Sequence, residues 1–302
     1  MRALFPLVTL VLLASACATT PGPRSTEAAL GIDPEVHGHR GARSIFPESS
    51  SEAFSHAMEQ GADVLELDTV VTADDQVVVL HDPVLNPALC GRMDGEPMPE
   101  TPVVVRELSL AELQAFHCTR LLLDRFPRQQ QIDPRPIPTL AQIVDGVLAA
   151  GHPRASSIHF NVETKLDPRA PDLSPDPATF ARLLLEVFRE RALLDRLIVQ
   201  SFDPRTLVAA ADLAPGVRRA ILLAAPPDDV VLAARQARAS IVSPYHVWLM
   251  PEHVQAIHEA GLTVVPWTAN TVAQWQQLML LGVDGIITDD PAGLIDWLGE
   301  RR

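Results

Sequence analysis

Short apolar runs, repeated along the chain with amphipathic stretches between them, do most to limit what this sequence can fold into. The runs are Val36–Arg40, Asp63–Asp68, Val77–His81, Ser157–Lys165, Leu197–Phe202, Val217–Leu223, Ser240–Ser243, Thr263–Thr268 and Asp284–Thr288. Phe180–Leu194, Glu252–Ala260 and Val272–Leu281 carry apolar side chains at helical spacing. Gly261 and Gly282 stand where helix C-caps belong, and Thr139 stands where an N-cap belongs. Such alternation gives a parallel α/β fold, and the number of units favours a (β/α)8 barrel over an open sheet. The nine runs are one more than a barrel needs, so one of them stays outside it.

Two stretches break the alternation. Between Asp68 and Val77 there is no room for a crossover helix. Thr72-Ala73-Asp74-Asp75-Gln76 reads as a turn from which the chain returns extended. The proline-rich stretch Asp82–Arg135 reads as an insertion (residues 83–135) after the third strand, a small subdomain over one barrel end. A length of 302 residues suits one such barrel domain, spanning 35–302.

The first residues are an address. Arg2 is the only charge in MRALFPLVTLVLLASAC, and the apolar part is shorter than the roughly 20 residues a spanning helix needs. Residues 1–16 are expected to be a signal peptide. Leu13-Ala14-Ser15-Ala16-Cys17 resembles a bacterial lipobox, which makes Cys17 the lipidated residue and 17–34 a membrane-anchored tether. Ala14-Ser15-Ala16 also satisfies an ordinary cleavage site, so soluble export stays open. Either route places the chain in the periplasm or cell envelope, where disulfides form. With Cys17 consumed by lipid, Cys90 and Cys118 are the remaining pair and are expected to be bonded.

The net charge of −14 argues against nucleic acid as a partner, because bulk attraction to phosphates needs a basic surface. It leaves room for a small phosphate ester held by a few local cations.

Four clusters carry the chemistry: His39-Arg40-Gly41-Ala42 with Pro47-Glu48-Ser49-Ser50, Glu66-Leu67-Asp68, His81-Asp82 and Glu163-Thr164-Lys165. Each ends a strand-like run, and barrel active sites are built at the C-terminal strand ends. Glu66 and Asp68 are two apart and share a strand face, as do Glu163 and Lys165. Three carboxylates, Glu66, Asp68 and Glu163, suit a hard divalent cation, Ca²⁺ or Mg²⁺. His39 and His81 supply the base and the acid of phosphodiester cleavage, and Arg40 and Lys165 match charge on phosphoryl oxygens. Asn270 is expected to cap the last helix, and Asp289-Asp290-Pro291 to be loop structure. The role of His159 is open.

Taken together, HRGARSIFPESSSEAF (39–54), GADVLELDTVVTADDQVVVLHD (61–82), IPTL (137–140), NVETK (161–165), VQSFD (199–203) and VVPWTANT…LLGVDGIITDDP (264–291) resemble the glycerophosphodiester phosphodiesterases over residues 36–298. The resemblance implies a distorted triosephosphate-isomerase-type barrel with an insertion after the His-Asp motif. It implies His39 and His81 as the catalytic pair, and Arg40 and Lys165 as phosphate ligands. Glu66, Asp68 and Glu163 would be ligands of one Ca²⁺ or Mg²⁺, and Trp267 an apolar wall for the glycerol or lipid side. Ser49-Ser50 departs from the Asn-Thr usual after Pro-Glu. The expected substrate is a glycerophosphodiester, cleaved to sn-glycerol 3-phosphate and an alcohol, by water directly or through a cyclic phosphate. Rivals are phospholipase D-type cleavage of lysophospholipids or sphingolipids and a catalytically silent envelope-binding lipoprotein.

Overall fold

The computed structural model describes residues 33–300. The expected signal peptide, the lipidation site at Cys17 and all but the end of the tether lie outside the described residues. No helix among the described residues is long and apolar enough to cross a membrane.

Eight parallel strands form the barrel: β1 (Glu35–Gly38), β2 (Val64–Val71), β6 (His159–Thr164), β7 (Leu197–Ser201), β8 (Arg218–Leu223), β9 (Ile241–Pro244), β10 (Thr263–Val264) and β11 (Gly285–Thr288). Their ladder order is β10-β9-β8-β7-β6-β2-β1-β11. The seam between β10 and β11 lacks a ladder. Backbone bonds close it instead, from Asp284 N to Val264 O (3.0 Å) and from Ile287 N to Pro266 O (3.0 Å). The surplus run is β3 (Val77–Val79), which folds back antiparallel on β2 outside the ring. The tight turn at Thr72–Gln76 makes this possible, since its ends bond to each other and no helix intervenes.

The helices are α1 (Ser51–Glu59), α2 (Leu110–Leu113), α3 (Leu140–Ala149), α4 (Pro177–Arg189), α5 (Pro204–Leu213), α6 (Val230–Gln236), α7 (Pro251–Glu259), α8 (Val272–Leu281) and α9 (Pro291–Gly299). All but α2 cover the outside of the barrel. Thr139 caps α3 in a reciprocal capping box with Gln142, and Gly282 ends α8 in the left-handed conformation. Leu67, Phe160, Phe180, Leu184 and Phe188 are among the fully buried side chains of the helix–sheet core.

Inside the barrel, a band of Val64, Ile198, Ala220, Ile241, Val265 and Ile287 separates two polar ends. Below it, Arg218 Nη2 meets His159 Nδ1 at 2.8 Å and Arg218 Nη1 lies 3.6 Å from Glu35. His159 therefore belongs to a polar plug at the N-terminal end, four residues before Glu163 on the same strand face.

The insertion contains the two-stranded β4 (Gly91–Arg92)–β5 (Phe116–His117) pair and α2. Leu85, Cys90, Val105, Leu113 and Phe116 pack with Val70, Val78 and Leu80 of the barrel in a satellite core. The Cys90–Cys118 disulfide is formed.

Candidate active site

The barrel ladder itself brings the acidic residues together. Asp68 of β2 is the register partner of Glu163 of β6, and Glu66 lies one inward-facing position below Asp68. Glu66, Asp68 and Glu163 are all buried, with one carboxylate oxygen of each within 4.8 Å of the others. Three carboxylates so close and so dry cannot all hold charge without a cation. Burial first, then the charges of Asp68 and Glu163, raise Glu66 well above the ordinary carboxylate range. Burial together with Asp68 pushes Glu163 up to about 7, although Lys165 pulls the other way. Burial also works against Asp68, but Lys165 and Arg40 outweigh it and hold that carboxylate well below its usual range. An all-oxygen, anionic, preformed cradle fits a hard divalent cation.

Two cations lean on this cradle. Lys165 Nζ lies 3.2 Å from Asp68 Oδ1 and 3.0 Å from Glu163 Oε1. Arg40 Nε lies 2.8 Å from Asp68 Oδ2, and its backbone N–H donates to Glu66 Oε2 at 2.9 Å. Arg40 reaches both by adopting φ 51°, a left-handed conformation uncommon outside glycine. The next residue, Gly41 (φ 83°), packs so tightly on α1 that a Cβ would lie 2.6 Å from the Ala53 backbone carbon. Glu66 is oriented from its other side by a relay in which Asn161 donates to Gln200 (2.9 Å) and Gln200 donates to Glu66 Oε1 (3.1 Å).

Both histidines stand over this centre, and each is aimed by a carboxylate. His39 Nδ1 meets Asp289 Oδ1 at 2.6 Å, and His81 Nδ1 meets Asp82 Oδ1 at 2.6 Å. Burial lowers the pKa of His39. Asp289 opposes that, while Arg40 and Arg43 add to it. Asp289 stays ionised, at about 2, because His39 and Arg43 outweigh the effect of its burial. Asn270 holds it there, donating from Nδ2 to Asp289 Oδ2 at 2.7 Å and accepting the Asp289 N–H at 2.8 Å. This corrects two expectations. The side chain that caps α8 is Thr271, not Asn270, and Asp289 is the partner of a site histidine rather than plain loop. Asp290 does serve the local structure, capping α9.

Arg40, Arg43 and Glu48 form a second bracket. Glu48 takes Arg40 Nη1 on one oxygen and Arg43 Nη2 on the other, each at 2.7 Å. Sequence reasoning singled out Glu48 and Asp82 without a role, read Asp289 as loop, and missed Arg43 and Gln200. Asp289 and Gln200 share no motif spacing with their partners, which lie 250 and 134 positions away. Only the ring closure of β11 beside β1 brings Asp289 to His39, 250 residues away.

These groups line a cleft of about 400 Å³ at the C-terminal mouth of the barrel. Trp267 lines its far side, with its indole N–H donated to Ser243 O at 2.9 Å and its ring against Phe202 and Tyr245. From the insertion come Leu122 and Arg125. That lip is pinned by buried Gln129, which accepts from Leu122 N and donates to Arg43 O, each at 2.7 Å.

Residues 39–293 match the model of the glycerophosphoryl diester phosphodiesterase family. The chain belongs to that family. It is therefore an enzyme, a phosphoric diester hydrolase, and the silent-binder alternative falls. A glycerophosphodiester phosphodiesterase of Caldanaerobacter subterraneus subsp. tengcongensis is 27% identical over 261 residues, covering 86% of this chain and 96% of that one. A solved structure from Silicibacter pomeroyi, assigned to the same family, superposes with a TM-score of 0.82 at 28% identity, over 89% of this chain and 94% of that one. The fold is shared with an Oleispira antarctica phosphodiesterase solved with sn-glycerol 3-phosphate. There the TM-score is 0.72 at 20% identity, over 88% and 97% of the two chains.

Proposed function

We propose that this enzyme hydrolyses glycerophosphodiesters to sn-glycerol 3-phosphate and an alcohol, using His39 and His81 as its acid–base pair and Glu66, Asp68 and Glu163 as ligands of a divalent cation. One observation carries the reading. Two carboxylate-oriented imidazoles, two cationic side chains and a buried acidic triad converge in one cleft large enough for a small phosphodiester.

The phosphate sits where Arg40 and Lys165 can both reach its oxygens, so that charge building up on them is matched. The oxygen of water forms a bond to phosphorus as one imidazole takes its proton. The bond from phosphorus to the alcohol oxygen breaks as the other imidazole gives up a proton to that oxygen. The same pair serves if the substrate's glycerol hydroxyl attacks first and water opens the cyclic ester. Asp289 and Asp82 hold the two rings in the tautomer that leaves Nε2 facing the substrate. Ca²⁺ or Mg²⁺ bound by the triad would polarise a phosphoryl oxygen. Trp267 and Phe202 form the apolar surface for the glycerol side. We read the chain as exported, with the Cys90–Cys118 bond supporting an oxidising compartment.

The deciding experiment follows sn-glycerol 3-phosphate released from glycerophosphocholine by the purified protein, with Ca²⁺, with Mg²⁺ and with a chelator. Metal-dependent release is expected. A folded protein releasing none under any condition would overturn the reading.

A second reading, cleavage of lysophospholipids, is favoured by one feature. Phe202 and Tyr245 are both exposed against Trp267 at the mouth, an apolar rim suited to a lipid tail. Release of choline from lysophosphatidylcholine at rates matching glycerophosphocholine would establish it.

A further inference from the structure

A second cavity, of about 270 Å³, lies behind His81. Glu48, His81, Asp82, Asn86 and Leu89 line it and also line the catalytic cleft, so the two spaces share a wall. The other walls come from the end of β3, the start of α1 and the insertion. They are mainly apolar: Val79, Leu80, Ile132, Ile137, Pro138 and the Cys90–Cys118 disulfide. This space lies across Arg40 and Lys165, the proposed phosphate ligands, from Trp267. The aromatic wall is carried by the β7, β9 and β10 ends, and the cavity by the β1–β3 side.

We infer that this cavity receives the alcohol half of the substrate, and that the alcohol it selects is neutral with an apolar carbon body. The inference rests on the hydrolytic reading above and names the substrate class within it. Four observations support it. The cavity begins at His81, one of the two groups proposed to exchange protons with the reacting oxygens, so an alcohol leaving on that side enters it directly. Its carboxylates are already matched: Glu48 by Arg40 and Arg43, Glu52 by Arg135 (3.1 Å), and Asp82 by its short contact with His81. No Phe, Tyr or Trp lines it among the described residues, so it lacks the cage that recognises a quaternary ammonium group.

The fourth observation is Ser49. Its hydroxyl is buried with no hydrogen-bond partner among the described residues, and it lines this cavity. Its backbone is held in the left-handed region (φ 61°) by donation of its N–H to Arg40 O at 3.1 Å. A buried hydroxyl without a partner is costly, and a χ1 rotation that turned it into the cavity would let a ligand oxygen satisfy it. An apolar alcohol or ether oxygen near the scissile bond supplies both the acceptor and the surface that the cavity calls for.

The test is a series of sn-glycero-3-phosphoalkyl esters from methyl to octyl, compared with glycerophosphocholine by release of the shared product, sn-glycerol 3-phosphate. Burial of successive methylenes should raise kcat/KM by up to about fourfold each until the cavity is filled. Ile132→Trp fills the cavity from a wall and should cut the hexyl-to-choline ratio of kcat/KM at least tenfold. If that variant does not fold, Ile132→Ala decides, and should move the best chain length upward. A wild-type series that is flat while glycerophosphocholine is cleaved would overturn the inference and leave the hydrolytic reading standing. Cleavage of no glycerophosphodiester at all would overturn both.

Discussion

His39 Nδ1 and Asp289 Oδ1 are 2.6 Å apart, joining the first and last strands of the barrel through a buried contact that Asn270 braces from behind. Asp289 raises the pKa of His39 against the lowering by burial, Arg40 and Arg43. Asp289→Asn removes that support. The His39 pKa falls further, so the limb of the pH–rate profile that His39 carries moves to lower pH. Arg43→Gln moves it the other way. Loss of the tautomer-fixing carboxylate should also lower kcat by about 10²–10⁴-fold. A pH profile of kcat/KM for both variants checks the two directions at once.

The acidic cradle ties metal affinity to pH. Glu163 titrates at about 7 before any cation binds, and Glu66 is raised as well. A cation must displace those protons. Apparent affinity for Ca²⁺ or Mg²⁺ should therefore weaken as pH falls below 7, approaching a slope of about tenfold per unit for each proton released. Calorimetric titration at several pH values measures it. Glu163→Gln should bind more weakly and lose most of the slope near neutrality. An affinity independent of pH between 5.5 and 7 would contradict the placement of the cation on these residues.

How far the site could be read from sequence depends on whether its parts share a strand. Glu66 with Asp68, and Glu163 with Lys165, are visible because strand parity puts residues two apart on one face. The barrel was visible because its strand–helix alternation is regular. The contacts of His39 with Asp289 and of Arg43 with Glu48 were not visible. They depend on how loops fold back over the mouth, and no periodicity encodes that. The antiparallel return of Val77–Val79 was foreshadowed by the short turn at Thr72–Gln76, but its place outside the ring was hidden, because its composition matches a buried barrel strand. His159 has the parity of a site residue, yet it sits at the wrong end of its strand for one.

The Cys90–Cys118 bond closes a loop across 28 positions, and that loop carries Leu113 and Phe116 of the satellite core. Loss of the cross-link in Cys118→Ser should cost about 2–4 kcal/mol, mainly by freeing the unfolded chain. Leu89, beside Cys90, lines the catalytic cleft, so the variant should also show a raised KM with kcat less affected. Denaturant unfolding and steady-state kinetics, with and without reductant, separate the two effects. Wild-type enzyme under reductant should match the variant.

Glu48 gives the sharpest stability test, because one buried carboxylate bridges two buried guanidiniums. Burial pushes its pKa up, but Arg40 and Arg43 prevail and leave it below its ordinary value of 4.5. Glu48→Gln keeps the shape and removes the charge, leaving the Arg43 guanidinium with the longer contact to Asp289 at 3.7 Å and the face of Phe126. Breaking one side of such a buried arrangement costs about 3–5 kcal/mol, a drop in Tm of roughly 6–20 °C for a domain of this size. The pH dependence follows from the direction of the shift. A carboxylate whose folded pKa is depressed adds stability above its unfolded value, and that addition is lost as pH falls through the folded value. The gap in Tm between wild type and Glu48→Gln should therefore be full at pH 7 and close as the pH drops below 4. A gap that stays constant down to pH 3 would mean that Glu48 stabilises by packing alone. Arg40 would then be held toward the phosphate site by Asp68 and the Glu66 contact without help from the bridge.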